Sequence, residues 1–151
     1  MRTSHESSSV LFLVTRMPVK TLCYEHLLPS GESELRRVPD PEWVVVESAI
    51  LAMDGDSRSL VMLNPTADHD ILMGIGDGSD GLRCCFVVTP SGDEVALVDP
   101  DEPSRLPTSV LMGQASTRAR NELVGVEAVL SAARWYFDHG GPHPKLVWRD
   151  Y

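Results

Sequence analysis

The stretch LAMDGDSRSLVMLN, residues 51–64, decides the fold, because it reads as the end of a helix, a tight stop and a strand in immediate succession. Upstream of it, Trp43, Val46, Ile50 and Met53 recur at spacings of three, four and three, so one face of a helix is apolar from about Pro41 onward. Asp40 stands where an N-cap belongs, and Pro41 occupies the first helical position, where its missing N–H is no loss. Gly55 supplies the left-handed residue that ends the helix, and the polar Asp54, Asp56, Ser57 and Arg58 turn the chain. The unbroken apolar run from Leu60 to Leu63 predicts a strand covered on both faces, which Asn64-Pro65 stops.

Outward from this junction the pattern is a meander. In residues 70–75, Ile71, Met73 and Ile75 alternate with other residues as on a half-buried strand, and a glycine-rich turn follows. Residues 82–88 and 94–98 are apolar runs joined by Thr89-Pro90-Ser91-Gly92-Asp93, which has hairpin composition, and Asp99-Pro100 ends the second run. Further strands are predicted at 109–113 and 120–124. Val126, Val129, Leu130, Ala133 and Phe137 trace a second helical stripe, with Gly140 at its stop and Pro142 just beyond. Before the first helix, residues 10–14 and 19–24 read as early strands followed by a polar loop over 29–39. Hairpin-joined strands with a helix before and after predict an α+β fold, an antiparallel β-sheet meander with two main α-helices packed against it.

A chain of 151 residues is expected to form one domain over residues 10–151, preceded by a disordered serine-rich tail over 1–9, with Met17 as a candidate internal start. At that size about two thirds of the unfolded chain's surface is buried, so neither metal nor disulfide is needed as a staple. The three cysteines, two of them adjacent at Cys84 and Cys85, form no even framework and no CxxC pair, which points to a reducing compartment. Alternation sends Cys84 and Cys85 to opposite faces of their strand, so at least one is expected to be buried and inert. The apolar run at 10–14 is too short for a signal-peptide core or a membrane span, and a cytoplasmic location is expected.

The net charge is −9. From Asp54 to Glu102 eleven acidic residues stand against only Arg58 and Arg83, while the remainder carries eleven of each sign. The excess negative charge therefore lies in the middle of the chain. Such a surface argues against nucleic acid or anionic lipid as partner and favours fast association with a basic protein. Its bland alternative is acidic turns that only keep the protein soluble.

Motifs for chemistry are sparse. Gly76-Asp77-Gly78-Ser79-Asp80-Gly81 matches G-x-G-x-x-G, but a strand rather than a helix is predicted to follow, and Asp77 and Asp80 would repel a pyrophosphate. Asp54-Gly55-Asp56 has the look of a calcium loop, yet Pro65 stands where the closing bidentate carboxylate belongs. Asp68-His69-Asp70, with His139 and His143, is a scatter of possible metal ligands lacking an HExxH spacing. No GxSxG elbow occurs. Trp135, Tyr136 and Trp148 read as core and flanking aromatics before they read as a platform, and Trp148 is expected to be structural. No enzyme and no cofactor are implied.

The run Ile50-Leu51-Ala52-Met53-Asp54-Gly55-Asp56-Ser57-Arg58-Ser59-Leu60-Val61-Met62-Leu63 resembles the helix-to-strand junction of the first-numbered family of immunity proteins in bacterial polymorphic toxin systems. Later blocks resemble that family in the same order. They are the glycine-rich turn at 74–81, Leu97-Val98-Asp99-Pro100, Met112-Gly113-Gln114, the alanine-containing helix at 126–139 and Leu146-Val147-Trp148, so the resemblance covers about residues 42–148. The region up to Pro39 has no matching block. The resemblance implies a cytoplasmic antidote that binds a cognate toxin protein, often a deaminase-fold enzyme attacking nucleic acid, and occludes its active site. Asp77 and Asp80 in the turn, with Asp99, Asp101 and Glu102 in the later loop, are the expected toxin contacts, acting by electrostatic mimicry and steering. Two other classes stand beside it: a small metal-dependent hydrolase using His69, its neighbouring aspartates and His139 or His143, and a chaperone-like binding module with no toxin partner.

Overall fold

The junction at residues 51–64 folds as read, but its stop works differently. In the computed structural model, which describes residues 19–66 and 71–151, helix α1 spans Trp43–Leu51 and strand β3 spans Leu60–Asn64. The N-cap is Glu42 rather than Asp40; Asp40 adopts a positive φ of 46° and turns the chain into the helix instead. At the other end Ala52 is the right-handed C-cap, and Gly55, at φ 72°, belongs to the turn beyond it. Asp54 organises that turn. Its Oδ1 accepts the N–H groups of Asp56 and Arg58 at 3.0 and 2.9 Å, and its Oδ2 accepts the Ser57 hydroxyl at 3.1 Å.

The other strands are β1 (Thr21–Leu27), β2 (Ser33–Pro39), β4 (Leu72–Gly78), β5 (Arg83–Val88), β6 (Glu94–Leu97), β7 (Pro107–Leu111), β8 (Ala115–Ala119) and β9 (Trp148–Asp150). Helix α2 spans Val126–His139 and ends at Gly140, whose φ of 73° and ψ of 164° form a conformation essentially confined to glycine, so the glycine stops the helix where its position predicts. Single 3-10 turns occupy Ser79–Gly81 and Arg120–Glu122. The strands form one antiparallel sheet in the order β2-β1-β3-β4-β5-β6-β9, with the β7–β8 hairpin attached through β4. The architecture is α+β, as the alternation of strands and helices predicts.

Both helices lie on one face of the sheet. Leu22, Val61, Leu63, Met73, Ile75, Cys85, Val87 and Leu97 point from the strands into a core shared with Val46 and Ile50 of α1 and Val129, Ala132, Ala133 and Tyr136 of α2. The opposite face carries a smaller cluster of Cys84, Val110 and Leu123, flanked by Leu82 and Met112. Cys84 and Cys85 thus occupy opposite faces as alternation requires, and both are buried. Gly74 and Gly76 open room on the second face, for the Phe86 ring and the Met112 side chain respectively. In β3 the core side chains are Val61 and Leu63, whereas Leu60 and Met62 are only half-buried.

Three sequence expectations need correction, and one strand, β9, is an addition to them. Residues 33–39, read as part of a polar loop, form the edge strand β2; with Val38 alone half-buried against the core and the other six residues exposed, it has no apolar alternation to announce it. Residues 120–124 are a 3-10 turn and a single bridge from Val124 to Arg83, while the strand stands earlier, at β8. The glycine-rich turn is shorter than read, because β4 continues through Asp77 to Gly78. Trp148 begins a strand, β9, which pairs with β6. The expected strand at 10–14, the tail at 1–9, the start at Met17 and the candidate ligands Asp68, His69 and Asp70 lie outside the described residues.

Candidate functional site

Four of the five acidic residues singled out from the sequence stand in loops, and the register of the sheet gathers those loops. Phe86 pairs with Ala96 and Val88 with Glu94, so the start of β5 and the end of β6 lie at the same end of the sheet. That end carries the turn Ser79–Gly81, which precedes β5, and the loop 98–106, which follows β6. Asp80 projects from the turn with a φ of 62° and is exposed. Asp101 is exposed and Glu102 half-buried. Asp99 has a building role as well: its Oδ1 accepts the Asp101 N–H at 2.9 Å, and its own N–H donates to the Asn121 carbonyl at 2.8 Å. Asp77 is placed in β4 rather than in the turn, where its backbone pairs with Arg83 and Leu111.

The loop 98–106 is anchored from two directions. Besides the bond to Asn121, the Val98 N–H donates to the Val147 carbonyl at 2.9 Å. Beside it opens a groove of about 270 Å³ between the end of β6, the start of α2 and the segment before β9. Asp99, Pro100, Ala128, Leu146 and Val147 line it, with Lys145 at its side. Val147 is 49% exposed, so an apolar side chain stands in solvent beside the acidic loop.

Arg83 was not recognised from the sequence. It is buried, and its guanidinium reaches across to α1: Nη2 donates to the carbonyls of Ile50 and Met53 at 3.3 and 3.2 Å, and Nη1 to the Gly81 carbonyl at 2.8 Å. A cation at the C-terminal carbonyls of a helix is favourable, and here it comes from a strand some thirty residues away in sequence. No local pattern announces such a cap.

Glu122 was missed for the same reason. It is 1% exposed, and its carboxylate accepts the Ala119 N–H at 3.1 Å, the Arg149 Nη1 at 3.2 Å and the Tyr151 hydroxyl. Arg118 lies over the rings of both Phe86 and Tyr151, at 5.0 and 5.2 Å. Partial desolvation of the hydroxyl, reinforced by its hydrogen bond to Glu122, pushes the Tyr151 pKa up although most of the side chain is exposed. These groups join β8, the 3-10 turn and β9 across the second face of the sheet.

The remaining candidates resolve into packing. The Trp135 ring stacks on His139 and His143, at 4.1 and 4.8 Å between centroids, along a groove of about 410 Å³ that also touches Trp43 and Arg134. His143 Nδ1 accepts the Lys145 N–H at 3.1 Å. Tyr136 is in the core, and the Trp148 indole N–H donates to the His143 carbonyl at 2.9 Å, which ties the last strand down. The aspartates of the Asp54-Gly55-Asp56 run form a turn through their hydrogen bonds. Among the described residues no three His, Cys, Asp or Glu side chains are grouped to hold a metal ion, and no helix is long and apolar enough to cross a membrane.

No family model, curated protein or solved structure matches the chain.

Proposed function

We propose that this chain is an immunity protein of a bacterial polymorphic toxin system, a non-enzymatic antidote that binds a cognate toxin in the cytoplasm and occludes its active site. The observation that carries the reading is the convergence of two acidic loops, the turn at Asp80 and the loop of Asp99, Asp101 and Glu102, at one end of the sheet beside an apolar groove. An apolar patch with a charged rim is the anatomy of a protein-binding surface. Arg83, one of only two basic residues between Asp54 and Glu102, is turned inward onto α1, so the cations that stand at the surface of that end are Arg105 in the loop itself and Lys145 beside the groove.

A toxin that grips nucleic acid does so through a basic groove. An acidic sheet end placed over such a groove competes with the phosphate backbone, and its field accelerates encounter before any contact forms. The resemblance in ordered sequence blocks supports the same assignment and favours a deaminase-fold partner.

The test is co-expression of the C-terminal domain of the toxin encoded beside this chain, with and without the chain, scoring survival and then isolating the complex. Survival with a one-to-one complex is expected. Reversing Asp80 and Asp101 to lysine is expected to slow association about tenfold or more at low salt, with only a small drop in melting temperature from the positive φ at residue 80. Cell death despite good expression, or association rates indifferent to those reversals, refutes the reading.

A further inference from the structure

We propose that the outer edge of β2 pairs with the same edge of a second copy of this chain, antiparallel about a two-fold axis at Leu35, joining two sheets into one. The inference is independent of the toxin reading. Among the described residues β2 has a partner, β1, on one side only. The pairing with β1 is regular from Ser33 to Pro39, without a bulge to twist the edge away.

The ladder itself says which backbone groups are free. The Asp40 N–H donates to the Lys20 carbonyl and the Leu28 N–H to the Glu32 carbonyl, both at 2.8 Å, so even-numbered residues face β1. Hydrogen-bonded and non-hydrogen-bonded pairs alternate along an antiparallel ladder. Ser33, Leu35 and Arg37 therefore direct their N–H and C=O outward. Pro39 falls on the same side, where its missing N–H costs β1 nothing.

Side-chain chemistry selects one register. An axis at Leu35 sets Leu35 against its own copy as a hydrogen-bonded pair, and each outward N–H of Ser33, Leu35 and Arg37 finds a carbonyl. It also places Glu34 directly opposite Arg36 of the copy, twice, in non-hydrogen-bonded pairs where side chains approach closest. An axis at Glu34, Arg36 or Arg37 instead puts like charges face to face. The self-complementary side chains are accessible: Leu35 is 45% exposed, and Glu34 and Arg36 are about half-exposed and held together only by a loose contact of 3.8 Å.

The experiment is sedimentation equilibrium on the full chain over a concentration series, with circular dichroism to confirm folding of each variant. The wild type is expected to equilibrate between monomer and dimer. Glu34→Arg alone and Arg36→Glu alone are each expected to weaken dimerisation about tenfold or more, because each sets two like-charged pairs across the axis. An equimolar mixture of the two single variants, in which every cross-strand pair is again opposite in charge, is expected to dimerise, as is the double variant. A wild type that is monomeric throughout overturns the proposal, and so does a dimer unaffected by either single variant or a mixture that fails to restore pairing.

Discussion

Arg149 in β9 donates to Glu122 in the 3-10 turn before α2 across 3.2 Å, and so ties the end of the described chain to a carboxylate with almost no access to water. Breaking such a pair leaves a buried charge short of donors. Arg149→Leu is expected to lower stability by about 1.5–3 kcal/mol, since the Ala119 N–H and the Tyr151 hydroxyl remain. A double-mutant cycle with Glu122→Gln, read by urea denaturation, is expected to show coupling above about 0.5 kcal/mol; strictly additive losses would show that the contact carries nothing.

Arg83 supplies a cap that no shorter or differently shaped cation reproduces. Its three donated bonds to Gly81, Ile50 and Met53 use the spread of the guanidinium, so Arg83→Lys is expected to cost about 1–2 kcal/mol and Arg83→Met about 2–3 kcal/mol. Hydrogen exchange checks the location of the damage. The loss is expected to appear first in the amides of the last turn of α1.

Gly74 is required by a ring. A Cβ at that position would lie 2.3 Å from Cζ of Phe86, so Gly74→Ala forces the ring off its seat beneath Arg118 at a cost of about 1–3 kcal/mol. Adding Phe86→Leu to Gly74→Ala is expected to recover part of that loss relative to the sum of the single changes. Thermal melts of the four proteins decide it.

Asp54 makes the turn after α1 pH-sensitive. Asp54 is exposed, and slight desolvation opposes its charge, but the N–H groups of Arg58 and Asp56 and the Ser57 hydroxyl outweigh that effect and hold the carboxyl below its ordinary value. A depressed pKa in the folded chain means stabilisation that is full above the unfolded value and is lost as the pH falls through the folded one. Asp54→Ala is therefore expected to cost about 0.5 kcal/mol at pH 7, a figure reduced for the exposure of this turn to water, and visibly less near pH 3, whereas Asp54→Asn, which keeps an acceptor, costs less at neutral pH. Paired denaturation curves at the two pH values measure the difference.

The thiols are expected to be silent in the folded protein. Burial pushes Cys85 far above the ordinary thiol range and raises Cys84 and Cys23 as well. Labelling with a thiol-specific chromogenic reagent at pH 8 is expected to proceed only as fast as the protein opens. Immediate labelling of any one cysteine would contradict its burial.

Wherever a signal acts within a few residues, it could be read directly. The apolar stripe of α2 and its stop at Gly140, the hairpin at residues 89–93 and the turn that Asp54 begins each depend on neighbours in sequence, and each stands where the residues place it. The edge strand β2 and the strand β8 escaped because their side chains are largely exposed, and without a buried face a strand leaves no period of two. The acidic loops were visible as composition, but their meeting at one end of the sheet depends on the register between β5 and β6.

By itself, then, the sequence determined the helices, the central strands, the hairpin and the acid-rich middle, because helical and strand periodicity and turn chemistry are local properties of the chain. Only the tertiary structure decided that Arg83 caps α1, that Glu122 gathers Ala119, Arg149 and Tyr151, and which backbone groups β2 leaves outward. Those depend on strand register and on distances between residues far apart in the chain, which are set when the apolar faces pack together.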